Sequence, residues 1–120
     1  MSGWIGVDLD GTLAVHDETF QIDKVGAPIP KMVERVKGWL AEGLEVRIVT
    51  ARVGEVAGRG NLRQFIEDQE QLISEWCKEH LGQDLIIQAH KDFHMIRLFD
   101  DRAVQVETNT GRLIGQEEDS

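Results

Sequence analysis

The sequence predicts an α/β fold built on a mostly parallel sheet. Two observations carry that expectation. Short β-branched runs alternate with longer stretches of helical apolar spacing, in the order strand, helix, strand, helix, strand. The strands also end in polar residues of one chemical kind: Asp8 and Asp10 after the first, Thr50 at the close of the second, Asp100 and Asp101 after the fourth. In parallel α/β sheets, ligands sit beyond the carboxyl ends of the strands.

The elements follow in chain order. Trp4 to Val7 is short, apolar and uninterrupted, as a strand buried on both faces requires. Residues 11 to 29 lack a helical period, and Gly26, Pro28 and the following Pro30 mark their end, so a small hairpin or flap is expected. Pro30 suits a first helical turn. Met32, Val33, Val36, Trp39 and Leu40 then recur at helical spacing, with Gly43 as the stop. Glu45 to Thr50 is the second strand. Residues 51 to 60 hold Gly54, Gly58 and Gly60 with Arg52 and Arg59, and read as a loop that could act as a lid. Asn61 is a candidate cap for a helix whose apolar face comprises Leu62, Phe65, Ile66, Leu72, Ile73 and Trp76. It runs to about His80 and ends at Gly82. Leu85 to Gln88, Met95 to Phe99 and Val104 to Val106 are further strands, and Asn109-Thr110-Gly111 is a turn. The expected organisation is one domain over 1–115 followed by an acidic tail, 116–120.

Composition narrows the function classes. The formal net charge of −9 disfavours a surface built to hold a nucleic-acid backbone. The single cysteine, Cys77, allows no intrachain disulfide and falls in a helical pattern, as a core thiol does. The first residues carry no basic region followed by an apolar run, and no stretch approaches membrane-spanning length. A soluble cytoplasmic protein with no membrane partner is expected.

Ile5-Gly6-Val7-Asp8-Leu9-Asp10-Gly11-Thr12 carries the most chemistry. Alternation along a strand lets Asp8 and Asp10 share a face and converge at its end. Carboxylates held that close repel unless a cation or a shared proton offsets them. The same residues also suit a plain polar turn. Asp100-Asp101 could likewise be an exposed acidic turn, and Thr50 a structural strand end. Hard oxygen ligands suit Mg²⁺, whereas His16, His80, His90 and His94 are too scattered for a zinc site.

Asp8-Leu9-Asp10-Gly11-Thr12 after an N-terminal strand, Thr50 after the second and Asp100-Asp101 after a later one together resemble the haloacid dehalogenase-like superfamily of phosphohydrolases, over nearly the whole chain. The resemblance implies a Rossmann-like three-layer sandwich without a cap domain. It implies Mg²⁺-dependent hydrolysis of phosphomonoesters through an aspartyl-phosphate, with Asp8 as nucleophile and Asp10 as general acid/base. Asp8, the Asp10 backbone carbonyl and Asp100 would hold the metal, with Asp101 nearby or bound through water. Thr50 would hold the phosphoryl group and Thr12 would support the loop. The family's phosphate-neutralising lysine is matched by Lys91, which stands only nine residues before Asp100. That is too few for a crossover between neighbouring parallel strands. Arg52, Arg59 or Arg63 could take its place.

Thr50-Ala51-Arg52 and Asp100-Asp101-Arg102 also look, more loosely, like the phosphatase domain of the polynucleotide kinase-phosphatase family. This raises nucleotides or nucleic-acid 3′-phosphate ends as substrates beside phosphorylated small molecules, with Arg52 among the substrate-binding groups. Arg102 reads instead as a structural salt-bridge residue. An open site could also be covered by a second copy in a homo-oligomer. The rival of another class is a non-catalytic phospho-acceptor or phosphate-binding signalling domain.

Overall fold

The computed structural model describes residues 3–55 and 62–115. Four parallel strands form one sheet in the order β3-β2-β1-β4. They are β1 (Trp4–Asp8), β2 (Glu45–Val49), β3 (Ile86–Gln88) and β4 (Met95–Phe99). Helix α1 (Pro30–Ala41) links β1 to β2, and α2 (Arg63–Leu81) links β2 to β3. The expected α/β class and parallel sheet are therefore observed.

Both crossovers step the same way across the sheet, so their shared right-handedness puts both helices on one face. Ile5, Val7 and Leu9 from the first segment and Val46 and Ile48 from β2 face them. They form one buried cluster with Met32 and Val36 of α1 and Ile73, Trp76, Cys77 and Leu81 of α2. Burial pushes the Cys77 thiol up to about 12, with Asp84 adding to the effect, so it is an inert core group. Gly82 (φ 81°) takes the left-handed position that terminates α2. The expected Asn61 cap lies outside the described residues.

Among the described residues, no helix covers the opposite face. Its layer is the coil 89–94, which carries the chain from β3 at one edge to β4 at the other. Trp4 and Gly6 share this face with Arg47, their register partners being Glu45 and Arg47. The indole Nε1–H of Trp4 donates to Asp92 Oδ1 at 2.8 Å, and the Arg47 guanidinium lies 3.6 Å from Asp92 Oδ2. Arg47 also stacks over the Trp4 ring at 4.6 Å. The third layer of the sandwich is thus a strap pinned by Asp92. β3 and β4 run parallel but are not neighbours. The strap crosses about 14 Å of sheet while stepping back about 13 Å. Seven peptide steps reach about 23 Å, so no helix is needed.

The expected hairpin at 11–29 exists only at its base. Val15 N–H donates to the Ala27 carbonyl at 2.8 Å and Ile29 N–H to that of Leu13 at 2.8 Å. The tip is a series of turns. Gly26 is obligatory there, because a Cβ would lie 2.1 Å from the Val15 carbonyl oxygen. The expected fifth strand does not join the sheet. β5 (Gln105–Val106) pairs antiparallel with β6 (Leu113–Ile114), an element not expected from sequence. Their turn runs through Asn109 (φ 67°) and Gly111 (φ 80°) and is closed by the Arg112–Glu107 ion pair at 2.6 Å. No helix among the described residues is long and apolar enough to cross a membrane.

Candidate active site

β1 stops at Asp8 because the chain folds over immediately. The Leu9 carbonyl accepts hydrogen bonds from the N–H groups of Thr12, Leu13 and Ala14. Gly11 permits this turn through φ 92°, and it also leaves room for a carboxylate: a Cβ there would lie 2.5 Å from Asp101 Oδ2. Thr12 joins the two acidic segments. Its hydroxyl accepts the Asp101 N–H at 2.9 Å and lies 3.0 Å from Asp101 Oδ1 and 3.5 Å from Asp8 Oδ2.

Carboxylate oxygens of Asp8, Asp100 and Asp101 all lie within 4.8 Å of one another. Burial, reinforced by Asp100 and Asp101, raises the Asp8 pKa from 3.8 to about 7. At Asp101 burial pushes upward too, but hydrogen bonds from Thr12 and Asp8 outweigh it and set the carboxyl below its usual range. A proton on Asp8, or a cation in its place, would offset the charge gathered here. A cluster of hard oxygen donors fits a Mg²⁺ ion that keeps some waters.

Asp8 and Asp10 line the same cleft, as strand alternation leads one to expect, but the Asp10 carboxylate stands outside the trio of acids. The strand ends before Asp10, and the Asp10 carboxylate lies in a bidentate pair with Arg52, Nε and Nη2 each at 2.8 Å. The group that the resemblance assigns to the metal from Asp10 is its backbone carbonyl.

Arg52, on a single 3₁₀ turn (Ala51–Val53), was expected to grip phosphate. It is buried, and its five N–H donors are all spent inside the protein. Besides Asp10 they reach the Ile22 carbonyl (3.1 Å), the Gln69 amide oxygen (3.0 Å) and the Lys24 carbonyl (2.8 Å). Gln69 Nε2 returns to the Ile22 carbonyl at 2.7 Å, and the Phe20 ring lies 5.1 Å from the guanidinium. Arg52 orients Asp10 and fastens the 15–26 loop to α2. Sequence reasoning missed Gln69, a buried polar residue on an otherwise apolar helix face.

Thr50 is buried at the mouth of the same cleft, its hydroxyl accepting the Arg52 N–H at 3.2 Å. The cleft measures about 540 Å³, and its lining includes Asp8, Asp10, Thr50, Asp100, Asp101 and Arg102. Lys91 is exposed on the strap and does not line it. Arg63 begins α2, exposed and outside the lining, and Arg59 lies outside the described residues. Arg102, expected to be a structural salt-bridge residue, makes no ion pair among the described residues. Its backbone N–H donates to Asp100 Oδ1 at 2.7 Å, and its charge acts on Asp101.

No family model matches the chain, and no curated protein matches it. Among solved structures, it is similar to a conserved protein coded by a locus from Bacteroides thetaiotaomicron, with a TM-score of 0.53 and 20% identity over 86% of this chain and 78% of that one. At that identity the likeness concerns the fold.

Two predictions follow from the charges. Folded Asp8 binds a proton up to about pH 7, whereas unfolded Asp8 releases it near 3.8. Without a divalent cation, stability should therefore fall as pH rises from about 4 through 7. Saturating Mg²⁺ or Asp8→Asn should flatten that slope, as read from urea unfolding at pH 5 and pH 8 with EDTA or Mg²⁺. Arg52→Ala should cost about 3 kcal/mol, because it strands Asp10 and two backbone carbonyls. A loss below about 1 kcal/mol in urea unfolding would contradict the role given to this arginine.

Proposed function

We propose that the chain is a Mg²⁺-dependent phosphomonoester hydrolase of the haloacid dehalogenase-like kind, acting through an aspartyl-phosphate on Asp8. The observation that carries this reading is the division of labour between neighbouring carboxylates. Asp10 is held by Arg52, whereas Asp8 stands with Asp100 and Asp101 as a charge-frustrated trio beside Thr50.

Asp8, Asp100 and the Asp10 carbonyl would hold the ion, with Asp101 directly or through water. When bound, Mg²⁺ supplies charge neutralisation for the phosphate and for Asp8. An Asp8 carboxylate oxygen forms a bond to phosphorus as the ester oxygen departs. Asp10 gives that oxygen its proton. A water then attacks phosphorus, Asp10 takes the water's proton, and inorganic phosphate leaves with Asp8 restored. Two bonds to Arg52 leave the Asp10 carboxylate lone pairs for this exchange. Thr50 donates its hydroxyl hydrogen to a phosphoryl oxygen. Arg102, whose guanidinium makes no ion pair among the described residues, takes the phosphate-neutralising role in place of Lys91.

Phosphate release with Mg²⁺ should be measured on aryl, sugar and nucleoside phosphates and a 3′-phosphorylated oligonucleotide. Asp8→Asn should reduce release by about 10³-fold or more while unfolding cooperatively. Substantial Mg²⁺-dependent turnover in that variant would remove Asp8 as nucleophile. Stable phosphorylation of Asp8 by acetyl phosphate with no release from any ester would instead favour a phospho-acceptor module.

A further inference from the structure

The lining of the cleft is chemically of two kinds. Beside the acids and Thr50 it includes Ile22, Leu62, Phe65 and Ala89, with His16 as a further polar group. We propose that these apolar residues form a subsite for a flat, uncharged ring on the alcohol half of the phosphoester. Substrates would then be ring-bearing phosphomonoesters, such as nucleoside monophosphates, rather than bare sugar phosphates. The proposal rests on the phosphohydrolase reading for which half of the substrate lies where.

Phe65 carries the argument. Residues 65, 69, 73 and 76 fall on one stripe of α2. Gln69, Ile73 and Trp76 of that stripe are 4%, 0% and 6% exposed, and Phe65 is 41% exposed. The stripe that seals the core thus runs on past it and leaves an aromatic ring open at the cleft. Ile22, on the 15–26 loop, is 46% exposed and lines the same cleft. Large apolar side chains left in water at a concave site gain free energy when a ligand covers them.

The two walls are also fixed relative to each other. The Ile22 carbonyl accepts from Arg52 at 3.1 Å and from Gln69 at 2.7 Å, and Gln69 lies one turn beyond Phe65 on α2. The same amide therefore ties the loop bearing Ile22 to the helix bearing Phe65. A ring entering between them meets a prepared slot and does not have to order it.

The lining also argues against a second charged group on the substrate at these residues. Among the described residues, the only guanidinium groups in the cleft are Arg52, whose donors are spent, and Arg102. A second phosphate set against Ile22, Leu62 and Phe65 would lose water without regaining partners. A planar ring keeps its polar edge toward solvent and places its face on Phe65.

Adenosine 5′-monophosphate and ribose 5-phosphate share the ester and differ by the ring, so they isolate this subsite. Their binding should be compared calorimetrically with Mg²⁺ on the Asp8→Asn protein, which does not consume them. Adenosine monophosphate should bind about tenfold or more tightly. Adding Phe65→Ala, or separately Ile22→Ala, should erase most of that difference. Equal affinities, or a preference that survives both substitutions, would overturn the subsite. Phosphate release by the unmodified protein is scored separately. Ring-dependent binding without release from any ester would retain the subsite and reject the hydrolase. Release with no preference for the ring would do the reverse.

Discussion

The buried guanidinium of Arg52 is the interaction on which the site depends. Arg52 lies three residues after the end of β2 and joins four pieces of chain: the Asp10 loop, the 15–26 loop through two carbonyls, α2 through Gln69, and the strand end through its backbone N–H on Thr50. A buried charge is tolerable only when its donors are satisfied, and here they all are. The consequence is positional. Residues 15–26 form no regular strand, so this clamp and the Trp76 indole, which donates to the Gly26 carbonyl at 2.9 Å, fasten the segment against α2.

The sheet imposes a complementary constraint. Crossovers of one hand bury both helices on one face and deliver the ends of β1, β2 and β4 to a single edge. Asp8, Thr50, Asp100 and Asp101 meet there because of where strands stop. Thr12 and Gly11 then set how closely the acids approach. The resulting repulsion is built into the fold, and a bound cation would relieve it. Stability and ligand binding are thus coupled at Asp8 in the same sense: whatever neutralises the trio favours the folded chain.

Much of this arrangement was legible in the sequence. β-branched runs, helical periodicity and Gly43 and Gly82 marked the elements of the main sheet closely, and polar strand ends marked the edge where the acids gather. The misplacements share a cause: they depend on partners that leave no local signature. An arginine next to Thr50 looks like a phosphate ligand, and the carbonyls of Ile22 and Lys24 that claim it have no side-chain signal. Strand alternation puts Asp10 on the side of Asp8, but β1 ends at Asp8, two residues before Asp10, and Arg52 holds the Asp10 carboxylate. The link between β3 and β4 looked too short because neighbouring strands were assumed. With β2 and β1 between them, a diagonal strap suffices, held by Asp92 on Trp4 and Arg47. Val104 to Val106 has strand propensity, but β6 claims it and it stays off the main sheet. Spacing puts Phe65 on the apolar face of α2, and only the structure shows its ring open to the cleft.

The claim that Asp8 is the carboxylate that accepts a phosphoryl group, with a cation, is most directly tested with beryllofluoride, which mimics an acyl phosphate on a carboxylate. Fluorine NMR of the protein with this anion should show a bound signal that requires Mg²⁺ and disappears in Asp8→Asn. No bound signal from the unmodified protein with Mg²⁺, or one that persists in Asp8→Asn, would contradict the account.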